Sequence, residues 1–144
     1  MATPSIYAAG PPGALFLFGV LKVAELHTSR YGARMYNLFL DDERNPSDVT
    51  WVSLPPGPWV VVRTQEEFEA YVMANGMPTR ISFDNDLGTG NGEGRFCARW
   101  LVEQLLDNRI AFNPDFSFTV HSKNTVAAEW ISQYLNSYLE FRDQ

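Results

Sequence analysis

The sequence predicts an α/β fold of three layers, with about four mostly parallel strands and flanking helices. Two observations carry this expectation. Four short apolar runs, at residues 36 to 40, 59 to 62, 80 to 83 and 116 to 120, are each followed by a loop or a helical pattern and never by a hairpin turn. Each run also ends in polar or charged residues, and strands alternating with helices through right-handed crossovers bring such ends to one edge of a sheet. Composition agrees. A chain of 144 residues that is 45% hydrophobic and 14% aromatic forms one globular domain with a real core, and at 19% charged it is no coiled coil.

The first run is apolar apart from Asn37, as expected of a parallel strand covered on both faces, and stops at Asp41-Asp42. The second follows the breaker cluster Pro55-Pro56-Gly57-Pro58 and stops at Arg63-Thr64. Thr64 and Glu67 then have the spacing of a capping box for a helix to about Asn75. The third run stops at Asp84-Asn85-Asp86, before a loop holding Gly88, Gly90, Gly92 and Gly94 and a helix with Phe96, Trp100, Leu101 and Leu105 on one face. The fourth stops at His121-Ser122. Asn124 is a good N-cap for a last helix, whose Val126, Trp130, Tyr134 and Tyr138 recur every four residues and read as a core stripe rather than a stacking platform.

Residues 1 to 34 differ from the rest. They carry Lys22, Arg30 and Arg34 against Glu25, whereas residues 35 to 144 carry 8 basic and 16 acidic residues. The apolar stretch from Ala14 to Val23 falls far short of the roughly 20 residues that span a bilayer, and no basic residue precedes it as a secretory signal would require. The expected organisation is an N-terminal extension over 1 to 34, disordered or upstream of a start at Met35, and a domain over 35 to 144. His27 lies in that extension and takes no role. A net charge of −6 gives no general attraction to a nucleic-acid backbone or an anionic membrane. The single Cys97 excludes an intramolecular disulfide framework and a cysteine metal cluster, and fits the cytoplasm.

The strand-end residues Asp41, Asp42, Arg63, Asp84, Asp86, His121 and Ser122 converge where open parallel sheets place ligands. Carboxylates about 4 Å apart repel by on the order of 1 to 4 kcal/mol. A divalent cation relieves this, and oxygen ligands with one nearby histidine suit Mg²⁺ or Mn²⁺ better than Zn²⁺. Asp84 and Asp86, two apart, would point the same way in extended backbone. His121 is a candidate general acid or base, or a strand-end histidine bonded to a neighbouring carboxylate. Ser122 could hold a phosphate oxygen or begin the Asn124 cap. Arg44, Arg63 and Lys123 are the nearest cations for a phosphate. The glycine loop precedes a helix N-terminus but fits neither a P-loop nor G-x-G-x-x-G, and equally describes a turn.

With "LFLDDERNP" at 38 to 46, "ISFDNDLG" at 81 to 88 and "TVHSKN" at 119 to 124, the chain resembles the cyclic-phosphate-processing receiver domains found in phages and bacteria. The resemblance covers about 35 to 141 and implies a small receiver-like, flavodoxin-like fold. Carried over from ordinary response-regulator receivers, Asp41 and Asp42 match the acidic metal-binding pair and Asp84 the phosphoacceptor. Ser122 falls near the Ser/Thr that contacts the phosphoryl group. The chain departs from them after Ser122, where one helix follows with no fifth strand and no receiver lysine. Asn85 stands where relatives often carry histidine.

The resemblance implies processing of a cyclic phosphate, such as a 2′,3′-cyclic RNA end or a cyclic nucleotide, in RNA repair or phage–host conflict. The expectation is a metal-dependent phosphoesterase of the cytoplasm (the host's, if phage-encoded). Asp41, Asp42 and Asp84 would hold Mg²⁺ or Mn²⁺, with Asp84, His121 and Asp86 catalytic. Ser122, Asn124, Arg44, Arg63 and Lys123 would bind substrate. The partner would be a nucleotide or short RNA end, with no membrane and no extended DNA surface. The alternatives are a non-catalytic domain that sequesters a cyclic nucleotide, and a plain signalling receiver phosphorylated at Asp84.

Overall fold

The computed structural model describes residues 5–7 and 35–144. Its elements are β1 (Ser5–Tyr7), β2 (Asn37–Leu40), β3 (Trp59–Val62), α1 (Gln65–Asn75), β4 (Arg80–Phe83), α2 (Gly94–Leu106), β5 (Ser117–Val120) and α3 (Thr125–Arg142). The α/β expectation holds, and the four anticipated runs are the parallel strands β2 to β5 in the order β3-β2-β4-β5. A fifth strand comes from the segment read as an extension: β1 lies antiparallel along β3, Ser5 opposite Val61 and Tyr7 opposite Trp59. All four residues of β3 are buried, so its outer edge needs a neighbour. The stretch from Ala14 to Val23, and His27, lie outside the described residues.

From β2 the chain crosses to β3 on one side, then passes back over β2 to reach β4 on the other. The winding therefore reverses between β2 and β4, and the carboxyl ends at such a reversal are where open parallel sheets place ligands. Register brings those ends level, with Leu40 opposite Phe83 and Phe83 opposite Val120. Asp41, Asp84 and His121 are thus the next residues of three adjacent strands.

Alternation along each strand divides the core in two. Leu38, Leu40, Val60, Val62, Ile81 and Phe83 pack against all three helices, through Phe68 and Val72 of α1, Ala98 and Leu101 of α2, and Ile131 and Leu135 of α3. On the other face Phe39, Trp59 and Val61 pack against Val49, Val52 and Leu54. The third layer among the described residues is thus the β2–β3 connection, with one 3-10 turn at Pro46–Asp48.

Of the stripe foreseen for α3, Tyr138 is buried and Tyr134 packs partly against the main core, while Val126 and Trp130 give way to their neighbours. Ala127, Ile131, Leu135 and Tyr138 are buried, whereas Val126 is 78% exposed and Trp130 stacks on Tyr134 at the surface, 4.8 Å between centroids. Full burial of Ile131 and Leu135 contributes about 1.5 to 3 kcal/mol each, and no indole N–H then has to enter a dry interface. The α1 cap also differs in detail. Thr64 accepts from the Glu67 amide as foreseen, but the Glu67 carboxylate accepts from the amide of Arg63, 2.8 Å away. Asn124 caps α3 by accepting from Ala127.

At Gly94 the first turn of α2 meets the end of β4. Its amide donates to the Asn85 carbonyl at 2.8 Å, and a Cβ there would stand 1.8 Å from the Asp84 carbonyl oxygen. Gly94→Ala is therefore expected to destabilise by on the order of 3 kcal/mol or more. Gly90→Ala, where a Cβ meets nothing despite φ of +80°, should cost about 1 kcal/mol. Urea unfolding of the two variants checks the contrast; equal losses would mean that the helix start can shift away from β4.

Candidate functional site

Asp41 is wholly buried and fully engaged. Its Oδ1 accepts from the amides of Glu43 (2.9 Å) and Arg44 (2.8 Å), and its Oδ2 meets His121 Nε2 at 3.0 Å and Arg44 Nη1 at 3.4 Å. Burial pushes its carboxyl up, but these hydrogen bonds outweigh burial and hold it at about 2. Asp84, one strand over, has a poorer set: Oδ1 accepts from the Asn85 amide at 2.8 Å, and Oδ2 makes no hydrogen bond among the described residues. Burial, reinforced by the charge of Asp41, raises its carboxyl to about 6.

His121 links this pair to the sheet. It is wholly buried, stacked on Phe39 with centroids 4.5 Å apart and planes 2° off parallel. Its Nδ1 lies 2.8 Å from Ser82 Oγ, which in turn accepts from Thr119 Oγ1 at 2.8 Å. Nε2 faces Asp41 Oδ2 at 3.0 Å, so both ring nitrogens have a partner and the ring bridges Asp41 to the serine–threonine pair inside the sheet. Of its two readings from sequence, the geometry matches the histidine bonded to a neighbouring carboxylate.

The other expected residues fall into three groups. Asp42 is half-buried and turns to the glycine loop, its Oδ2 lying 3.6 Å from where a Cβ on Gly88 would sit. Burial first, then the charges of Asp41 and Glu43, raise its carboxyl. Asp86 is exposed and accepts from the Asn85 side chain at 3.1 Å; β4 has ended at Phe83, so strand alternation does not turn it toward Asp84. Arg63 fastens the loop after β2, donating to the carbonyls of Asp41 and Arg44 and to Asn45 Oδ1. Ser122 accepts from the Asn124 amide at 3.1 Å, and both residues start α3. Arg44 and Lys123 remain at the rim, and both lie over the ring of Trp51, at 5.2 and 4.2 Å from its centroid.

Three participants were missed from sequence. Ser82 and Thr119 lie inside strands, where a hydroxyl among apolar residues was the available signal. Trp51 sits in the irregular connection, where no periodicity marks it.

Asp41, Asp84 and His121 each offer a ligand atom, all within 4.8 Å of one another. With Nε2 already facing Asp41 Oδ2 at 3.0 Å, the carboxylate oxygens of the two aspartates would make a hard-oxygen set that fits Mg²⁺ or Mn²⁺. The free Asp84 oxygen beside a second carboxylate is the observation that favours the fit.

Residues 36–137 match the family model of the Cyclic-phosphate processing Receiver domain, and the chain belongs to that family. No curated protein and no solved structure is significantly similar to it. No helix among the described residues is long and apolar enough to cross a membrane.

The two carboxyls give opposite pH signatures. Asp41, held below its ordinary 3.8, stabilises the fold above about pH 4 and loses that effect as pH falls toward 2. Asp84, raised above 3.8, costs nothing below about pH 4, costs progressively more as pH rises toward its folded value near 6, and costs the full amount above it. Without divalent cations, Asp84→Asn should therefore be more stable than the parent by about 2 kcal/mol at pH 8, the gain fading between pH 6 and 4. Denaturant melts across pH read this directly; a pH-independent difference would remove the assigned cause.

Proposed function

We propose that this protein is a divalent-cation-dependent phosphoesterase that opens a cyclic phosphate on a nucleotide or a short RNA end, working in the cytoplasm. The single observation carrying the reading is the Asp41–Asp84 pair at the winding reversal, one carboxylate saturated and the other keeping a free oxygen. Asp84 and Asp41 would hold Mg²⁺ or Mn²⁺, with Asp42 as a further oxygen donor on the glycine-loop side. Such an ion, when bound, polarises a phosphate oxygen and acidifies coordinated water. Arg44 and Lys123, the cations left at the rim, meet the phosphate. His121 acts through Asp41, and its orientation depends on Ser82 and Thr119. Family membership supports the cyclic phosphate as the ligand.

A sequestering role has one observation in its favour. Among the described residues His121 is the only histidine, and it is enclosed. A domain that clasps a cyclic nucleotide needs the same cation and rim charges but no proton-transfer group facing the ligand.

The full chain is to be incubated with Mg²⁺ and an oligonucleotide ending in a 2′,3′-cyclic phosphate, and the ends resolved by chromatography. Ring opening that Asp84→Ala and EDTA both abolish is the expected result. Stoichiometric retention of an unopened ring would establish the sequestering role, and neither opening nor retention would sink both. Ser82→Ala, which removes the hydrogen-bond partner of His121 Nδ1, is expected to raise the Mg²⁺ concentration for half-maximal effect by roughly 10-fold. An unchanged Mg²⁺ dependence would separate the serine–histidine chain from the site.

A further inference from the structure

Trp51 is 40% exposed, although its loop neighbours Val49, Val52 and Leu54 all pack into the smaller core. Its exposure is therefore not that of a loop lacking an apolar surface to cover. The ring is also held in place: Nε1 donates to the backbone carbonyl of His121 at 2.8 Å, which ties the indole to the end of β5. Arg44 spans the gap between this ring and the carboxylate pair, its guanidinium 5.2 Å from the indole centroid and its Nη1 3.4 Å from Asp41 Oδ2. Lys123 lies 4.2 Å from the same centroid. An anchored aromatic face, two cations and an acidic pair thus stand side by side at one rim.

We propose that Trp51 is the platform on which a nucleobase stacks, so that this site takes a nucleoside cyclic phosphate rather than a cyclic phosphate on a bare sugar or a lipid. The inference rests on the cyclic-phosphate reading above and adds to it the residue that receives the base. Every nucleobase has a π face, and stacking on an anchored indole selects for a base without selecting which base. The two cations answer the charge on the other half of the ligand. An exposed cation–π contact is weaker than a base–aromatic stack, so the mobile Lys123 ammonium gives up the ring to the base and turns to the phosphate. Anchoring through Nε1 lowers the ordering cost of that stack.

The test is equilibrium binding, by calorimetry with Mg²⁺ present, of two probes to the full chain: adenosine 2′,3′-cyclic phosphate and the base-less methyl riboside 2′,3′-cyclic phosphate. The parent protein is expected to bind the nucleotide roughly 5- to 100-fold more tightly than the riboside. Trp51→Leu should bring the nucleotide down to the riboside's affinity and leave the riboside unchanged. Trp51→Phe, which keeps an aromatic face but loses the Nε1 anchor, should fall between the two, and circular dichroism confirms that each variant is folded. Equal nucleotide affinity in the parent and in folded Trp51→Leu would overturn the inference while leaving the cyclic-phosphate reading intact. Equal affinity of the parent for the two probes would do the same. A parent protein that binds neither probe removes the cyclic-phosphate reading, and this inference with it.

Discussion

Two carboxylates forced side by side are the constraint around which this end of the molecule is arranged. Parallel pairing of β2 with β4 puts Leu40 opposite Phe83, so the next residues, Asp41 and Asp84, have nowhere else to go. Repulsion at such range is substantial where water is scarce. The protein does not relieve it evenly. Asp41 receives two backbone amides, the His121 ring and the Arg44 guanidinium, while Asp84 receives one amide. One carboxyl is thereby held near 2 and the other pushed to about 6. A pair driven apart in this way divides its roles: a fixed charge, and a group whose state responds to what binds.

Much of the surrounding structure serves that division. Arg63 locks the turn after β2 through three acceptors, so the amides of Glu43 and Arg44 stay aimed at Asp41. Gly94 lets α2 begin in contact with the Asp84 carbonyl, and Asn85, buried between them, accepts from the Arg95 amide while its own amide donates to Asp84. Among the described residues β5 lies at the sheet edge, and the rim cations Arg44 and Lys123 come from the loops after β2 and β5.

Strand existence and order of chemistry were readable because apolar runs and their polar ends are local signals. All four parallel strands fall within a residue or so of their expected bounds, and the Thr64 and Asn124 caps form. What resisted reading depends on contacts between distant residues. Ser82 pairs with Thr119 only through the β4–β5 register, and the two meet His121 only because β5 ends where it does. That chain sets the His121 ring against the Asp41 carboxylate. In α3 Val126, Trp130, Tyr134 and Tyr138 define a regular four-residue stripe, yet the face buried deepest holds Ile131 and Leu135 beside Tyr138, which the sheet's position decides and the spacing does not. Trp51 is visible only once the loop that carries it has been folded over β5.

The central claim is that Asp41 and Asp84 together form a divalent-cation site, and paramagnetic broadening by Mn²⁺ tests it most directly. In a two-dimensional amide NMR spectrum of the full chain, substoichiometric Mn²⁺ should first erase the signals of Glu43, Arg44 and Asn85, whose amides donate to the two carboxylates. Competing Mg²⁺ should restore them. Broadening that instead begins at Glu66 and Glu69 on α1, or that spreads evenly with no ordered onset, would contradict the account.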